Sequence, residues 1–199
     1  MPTVLYAPAS PYSAKVRMAA AHAGIPILCE IVDTNAAPAN LVGANPLGKI
    51  PVLITDEGMG VHDSAVIVQW LNRQSRNALF PRNPVKRAEA ETLESLADGL
   101  CDCLLAHVYE RRFRPEDLVH QPWLDKQWEK AGRALDHLNA NPPKLPKKIT
   151  AGQIAVRAAL GYLQLRFAGQ WERGRPRLKR WAKRFDDKFP DLVPYLPQG

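Results

Sequence analysis

Apolar positions in this chain follow two periods, short runs at first and helical stripes later. Val4-Leu5-Tyr6 is a short apolar run stopped by Pro8, which predicts a first strand. Ser10-Pro11 then opens a helix, because serine is a good N-cap and proline is tolerated at the first helical position. Val16, Met18, Ala19, Ala20 and Ala23 give that helix an apolar stripe, and Gly24 ends it. Ile27 to Val32 reads as a second strand. Residues 34–44 are rich in Ala and Asn and predict irregular chain with room for one helical turn. Pro51 to Thr55 and Gly58 to Val61 are two strands joined by the hairpin signal Asp56-Glu57-Gly58. Asp63 to Gln74 is a helix with Ala65, Val66, Val68, Trp70 and Leu71 along it. The order β-α-β-(α)-β-β-α predicts a compact α/β domain with a mixed sheet.

Beyond residue 80 the period is helical throughout. Phe80-Pro81-Arg82-Asn83-Pro84 reads as a linker. Val85 to about Arg112 is one long helix, with Ala88, Leu93, Leu96, Leu100, Leu104 and Val108 at helical spacing. Arg114-Pro115 breaks it, and Pro122 to Leu138 forms the next helix. Thr150 to about Phe167 is so apolar that it belongs at the centre of its bundle, and Thr150 with Gln153 makes a capping-box pattern. Pro176 to Lys188 is the last helix, followed by a Pro-rich tail. Trp123, Trp128, Trp171 and Trp181 are read as core packing.

Charge adds an asymmetry. Residues 1–80 hold five basic and five acidic side chains, so the whole net charge of +7 falls in residues 81–199. Arg173, Arg175, Arg177, Lys179, Arg180, Lys183 and Arg184 concentrate it near the last helix. No nucleic-acid motif accompanies this run, so a solvated helix face is the reading and nucleic acid is not an expected partner. No apolar stretch reaches the ~18 residues of a membrane span. The first residues show no basic segment followed by a long apolar one, so a cytoplasmic protein is expected. Cys29, Cys101 and Cys103 fit neither a disulfide framework nor a zinc spacing, and no metal is expected.

Chemistry concentrates in two segments. Asn45-Pro46-Leu47-Gly48-Lys49-Ile50-Pro51-Val52-Leu53 is a turn entering a buried strand through proline, and Asp63-Ser64 opens a helix ten residues later. A strand that starts at proline suits an extended ligand borrowing backbone hydrogen bonds, and a helix start suits a carboxylate. Together they point to a small peptide-like anion, with glutathione the obvious candidate.

With these segments in place the chain resembles a cytosolic-type glutathione transferase over nearly its whole length. The matching motifs are Ser10-Pro11-Tyr12-Ser13-Ala14-Lys15-Val16-Arg17, Asn45 through Leu53, His62-Asp63-Ser64-Ala65, Thr150-Ala151-Gly152-Gln153-Ile154-Ala155 and Arg175-Pro176. The Ser-Pro-aromatic motif looks most like the serine-type members. The resemblance implies an α/β thioredoxin-like N-terminal domain over 1–77, a linker at 78–83 and an all-α helical C-terminal domain over 84–199. It also implies a homodimer, with glutathione as co-substrate.

The site residues follow from the same resemblance. Pro51 is expected after a cis peptide bond, presenting the N–H and C=O of Ile50 to the cysteinyl backbone of glutathione. Ser64 would take the γ-glutamyl carboxylate, Asp63 the ammonium and Lys49 the glycyl carboxylate. Asp63 alone also reads as a simple N-cap, and Lys49 as a solvated loop lysine. Ser10 is the expected catalytic hydroxyl, donating to a thiolate that also feels a helix N-terminus. Ser13 and Tyr6 are the rival hydroxyls, and Ser10 also reads as a plain cap. Tyr12, Tyr109 and Arg112 are candidates for the second-substrate site, and the Arg111-Arg112 pair would favour an anionic or polar co-substrate. The expected activity is attack of the glutathione thiol on an electrophilic small molecule. A non-catalytic glutathione-binding relative and a glutathione-dependent isomerase or dehalogenase are the alternatives.

Overall fold

The computed structural model describes residues 1–199. Strands β1 (Thr3–Tyr6), β2 (Leu28–Ile31), β3 (Val52–Ile54) and β4 (Gly60–Val61) form one mixed sheet in the order β2-β1-β3-β4. β1 runs parallel to β2, with Thr3 opposite Leu28, and antiparallel to β3, with Val4 opposite Leu53. β4 returns antiparallel to β3 through the turn at Thr55, whose N–H donates to the Met59 carbonyl at 2.9 Å. Parallel strands cannot be joined by a hairpin, and α1 (Pro11–Ala23) supplies the crossover between β1 and β2. The short helix α2 (Ala39–Ala44) fills the segment read as irregular, and α3 (Ser64–Gln74) closes the α/β part.

The pleat of β1 divides its side chains between two cores. Val4 and Tyr6 join α1 and α3 in the large core, while Leu5 packs with Val32, Leu41 and Val52 on the opposite face. The second strand is the sheet's exposed element. It forms within the expected segment Ile27 to Val32, yet all four of its residues are exposed, the apolar Leu28 at 51 % and Ile31 at 62 %. The reason is position, since β2 is the sheet margin and pairs only with β1.

Four long helices follow: α4 (Pro84–Phe113), α5 (Gln121–Ala140), α6 (Ala151–Arg166) and α7 (Pro176–Lys188). Short 3₁₀ turns lie at Glu116–Leu118 and within the Pro-rich tail at Pro190–Tyr195. No helix is long and apolar enough to cross a membrane. α6 is central, as its apolar run predicts, and it packs on both α4 and α1. Its cap has the expected form, with the Thr150 N–H donating to Gln153 Oε1 at 2.7 Å. Gly152 permits the close approach to α4, because a Cβ there would sit 2.7 Å from the Ala90 carbonyl oxygen. Trp171 and Trp181 are buried, but Trp123 is 45 % exposed at the start of α5, contrary to the core reading. It sits beside the exposed α4–α5 connection, where the Lys130 ammonium, 5.9 Å from its ring centroid, lies over it.

The basic C-terminal run is partly structural. Arg175 Nε pairs with Asp136 at 2.7 Å, and Arg177 Nη1 donates to the Ala140 carbonyl at 2.7 Å, tying α7 to α5. Arg157, 8 % exposed, is held by both oxygens of Asp186 at 2.6 and 2.8 Å, tying α6 to α7.

The chain between α3 and α4 is packed. Leu79 and Phe80 are buried, and their N–H groups both donate to Asn72 Oδ1, at 3.1 and 3.0 Å. The Leu79 carbonyl accepts from Ala151 at the start of α6. A second tie lies between α1 and α4. Lys15, 1 % exposed, places Nζ 2.6 Å from Asp98 and 3.1 Å from Glu94, and the Tyr12 hydroxyl donates to Asp102. These pairs form the floor of a cleft between the α/β part and the helices.

Candidate functional site

The cleft has a volume of about 790 Å³, within the roughly 300–1,000 Å³ usual for small-ligand sites. Its α/β wall is built by three loop-to-element junctions: β1 to α1, α2 to β3, and β4 to α3. Each junction brings one of the motifs read from the sequence.

At the first junction Ser10 caps α1, its Oγ accepting from the Ser13 N–H at 3.2 Å. Ser10 lines the cleft. The two rival hydroxyls do not. Ser13 is fully buried with its Oγ unpartnered, and Tyr6 is buried under the Arg17 guanidinium, 4.3 Å from its ring centroid. Tyr12 lines the cleft with its ring, while its hydroxyl is committed to Asp102. Burial, with Cys101, Asp102 and Asp98 adding, raises the Tyr12 phenol far above the ordinary tyrosine range. It therefore stays protonated and cannot serve as a base.

At the second junction Asn45, 2 % exposed, organises the turn. Its Nδ2 donates to the Lys49 carbonyl at 2.8 Å and its Oδ1 accepts from Leu47 at 3.1 Å. Gly48 takes φ 62°, a left-handed conformation that glycine accepts without a Cβ penalty. The Ile50–Pro51 peptide is cis, as expected from the motif. The N–H and C=O of Ile50 have no backbone partner within the chain, and Ile50 lines the cleft beside Lys49 and Pro51. An extended ligand can pair with that free edge.

At the third junction Asp63 caps α3, accepting from Ala65 at 3.1 Å and Val66 at 3.3 Å. Asp63 is exposed and Ser64 is 4 % exposed, and both line the cleft with His62. The helix N-terminus behind Ser64 favours an anion there.

The opposite wall belongs to α4 and α6. Asp98 and Asp102 lie low on it, and Leu105, Ala106, Tyr109, Arg112 and Phe113 continue up α4. Tyr162 and Arg166 come from α6, and the sequence reading missed both. The Tyr162 hydroxyl is pushed up to about 12 by burial, with Arg166 and Arg112 pulling it down. Arg111 turns instead to a smaller cavity of about 500 Å³, where Nη2 donates to Gln121 at 3.2 Å. Asp98 is raised by burial against the opposing pull of Lys15. All three cysteines are free and none lines the cleft. Burial pushes the Cys101 thiol well up, so it holds little thiolate. No group of three or more His, Cys, Asp or Glu side chains is arranged to hold a metal ion.

Comparison with known proteins agrees with this geometry. The family model for the glutathione S-transferase N-terminal domain matches residues 9–74, which span all three junctions. An uncharacterised GST-like protein, YibF of Escherichia coli (strain K12), is 35 % identical over 139 residues, 67 % of this chain and 68 % of YibF. A glutathione S-transferase of Methylobacillus flagellatus KT, solved with GSH bound, is 32 % identical and superposes with a TM-score of 0.88 over all of both chains. A glutathione transferase family member from Pseudomonas fluorescens Pf-5, solved with bound glutathione, is 31 % identical, with a TM-score of 0.87 over all of both chains.

Proposed function

Since the chain belongs to the glutathione S-transferase family, we propose that its cleft binds glutathione and activates the thiol for attack on an electrophilic small molecule. One observation carries the reading: the unpaired backbone of Ile50, the helix start at Ser64 and the Ser10 hydroxyl all open into the same cleft. Two relatives of similar length and about one-third identity hold glutathione.

The tripeptide then lies extended along the Asn45–Pro51 turn. Its cysteinyl backbone pairs with the N–H and C=O of Ile50 as one strand pairs with another. The γ-glutamyl carboxylate meets Ser64 and the α3 N-terminus, and its ammonium meets Asp63. Lys49 takes the glycyl carboxylate. This places the sulfur toward Ser10. A free thiol has a pKa near ~8.5, so most of it is protonated at neutral pH. The α1 dipole supplies about 0.5–1 kcal/mol toward the thiolate, and a hydrogen bond from Ser10 adds the rest. The thiolate forms a carbon–sulfur bond while the leaving group departs with its electron pair. Tyr12, Tyr109 and Arg112 border the space for that electrophile.

We read residues 1–77 as the glutathione-binding domain, 78–83 as the connection and 84–199 as the helical domain, in a cytoplasmic homodimer. The test is retention on immobilised glutathione, together with conjugation of glutathione to a generic aryl halide. Retention with turnover supports the transferase. Retention without turnover favours a non-catalytic binding protein or a glutathione-dependent isomerase or dehalogenase. Loss of both removes the glutathione reading.

A further inference from the structure

The far end of the cleft has a character of its own. Two helices end there, and each delivers a tyrosine followed one turn later by an arginine: Tyr109 and Arg112 from α4, Tyr162 and Arg166 from α6. Neither arginine forms an ion pair within the chain. Arg112 leans on aromatic faces instead, 5.7 Å from the Tyr109 ring centroid and 6.0 Å from that of Phe113. Both arginines line the same cleft as Tyr162. Arg111, next in sequence, lines only the other cavity, with Gln121 as its partner, whereas Arg166 stands between the two cavities and borders both.

The acidic groups of the cleft are held elsewhere. Asp98 is paired with Lys15, Asp102 accepts from Tyr12, and Asp63 caps α3. At 1.5 Å per residue, Arg112 lies about 15 Å along α4 from Asp102. One helix thus runs from an acidic floor to a basic mouth. Cations at the last turn of a helix complement its dipole, which accounts for an arginine at either end. It does not account for two, both without an ion-pair partner, lining one cleft together with Tyr109 and Tyr162. Guanidinium groups bind carboxylates in charge-assisted, bidentate form, and the aromatic rings beside them supply apolar contact for the rest of a small molecule.

We propose that Arg112 and Arg166 form a two-armed anion clamp, so that the second substrate is an electrophile carrying a carboxylate. The inference rests on the glutathione reading above and names the acceptor class for it. The reaction is a substitution in which the thiolate sulfur bonds to the electrophilic carbon, the leaving group departs with its electron pair and the thiol proton passes to solvent. The clamp holds the carboxylate at the cleft mouth while the electrophilic carbon faces Ser10.

The test compares two glutathione thioethers that differ only in their ends, S-propylglutathione and S-(2-carboxyethyl)glutathione, by calorimetric titration of the full chain. The carboxylate form is expected to bind at least about tenfold tighter, with the ratio shrinking as salt is raised. In the Arg112→Gln/Arg166→Gln double variant the ratio falls toward one, and the corresponding double lysine variant restores part of it. Both arginines are exposed, so the variants leave the core untouched. Equal binding of the two thioethers by the unaltered protein overturns the clamp while leaving the glutathione reading intact. So does an equal weakening of both in the double variant, which would assign the arginines to glutathione itself. Failure of both thioethers to bind removes the glutathione reading and the clamp with it.

Discussion

The Ser13 amide donates to Ser10 Oγ at 3.2 Å, so the Ser10 oxygen is already an acceptor in its own helix cap. A hydroxyl has two lone pairs and one proton, and capping uses only a lone pair. The proton is left for a partner in the cleft. The cap thereby orients the donor that the proposed chemistry needs.

Ser10→Ala separates these two roles. Loss of a hydrogen bond to a charged group costs about 1.5–3 kcal/mol, so conjugation should slow by roughly ten- to a hundredfold at neutral pH. The pH–rate profile should move to higher pH, because the bound thiol loses its stabilising donor. Loss of the cap costs a further ~1 kcal/mol of stability. Ser10→Thr keeps both functions and should restore most of the rate. Steady-state kinetics with a pH series checks this, and an unchanged profile in the alanine variant would remove Ser10 from the mechanism.

Ser64→Ala addresses binding rather than activation. Ser64 sits at the start of α3, where the proposed γ-glutamyl carboxylate would receive its hydroxyl. The dissociation constant for glutathione should rise by about ten- to a hundredfold, the equivalent of one charge-assisted hydrogen bond. The rate at saturating glutathione should change far less than KM. A selective fall in the saturated rate would instead place Ser64 near the sulfur.

The buried triad of Lys15, Glu94 and Asp98 joins α1 to α4 beneath the cleft. Lys15→Met removes the only cation and leaves two carboxylates facing each other in a largely buried site. Breaking a buried pair this way costs about 3–5 kcal/mol. The triple variant Lys15→Met/Glu94→Gln/Asp98→Asn, with no charge left, should regain part of that stability. Urea unfolding of both variants measures the difference, and a loss under 1 kcal/mol in the single variant would mean that water reaches the site.

Most of this architecture was legible because it depends on local signals. Ser10-Pro11, Gly24, Thr150 with Gln153 and the apolar run of α6 each act within a few residues. The cleft's α/β wall was legible for the same reason, since Asn45 through Pro51 and Asp63-Ser64 are contiguous motifs. The opposite wall was not. Tyr162 lies in a helix whose apolar period marks it as core, and Arg166 reads as an ordinary C-terminal helix cation. Only the crossing of α4 and α6 brings them beside Arg112. The exposure of β2 was hidden likewise, because an apolar run does not reveal whether its strand lies inside the sheet or at its margin. Asp98 and Asp102 fall among the polar positions of a long helix, and nothing local distinguishes a cleft carboxylate from a solvated one.

Two histidines give the stability of the fold a predictable pH response. Burial lowers His22, against the opposing effect of a hydrogen bond with the Ile149 backbone. Burial also lowers His107, whose Nε2 lies 2.6 Å from the Leu124 carbonyl oxygen. The folded protein therefore resists protonation at both sites, while the unfolded chain takes up protons near the ordinary histidine value of about 6.5. Below that value the unfolded state binds more protons than the folded one, so stability rises with pH. The contribution is complete above about pH 6.5 and is lost as pH falls from there through the lowered folded values. The urea midpoint should thus decline between pH 7 and pH 5, against a smaller opposing effect from Asp98 and Glu94, whose buried carboxyls are raised and take up protons more readily in the folded state. A His22→Gln/His107→Gln variant should lose most of that slope, even if its midpoint at pH 7 is lower. If the variant keeps the full slope, the protons are taken up elsewhere.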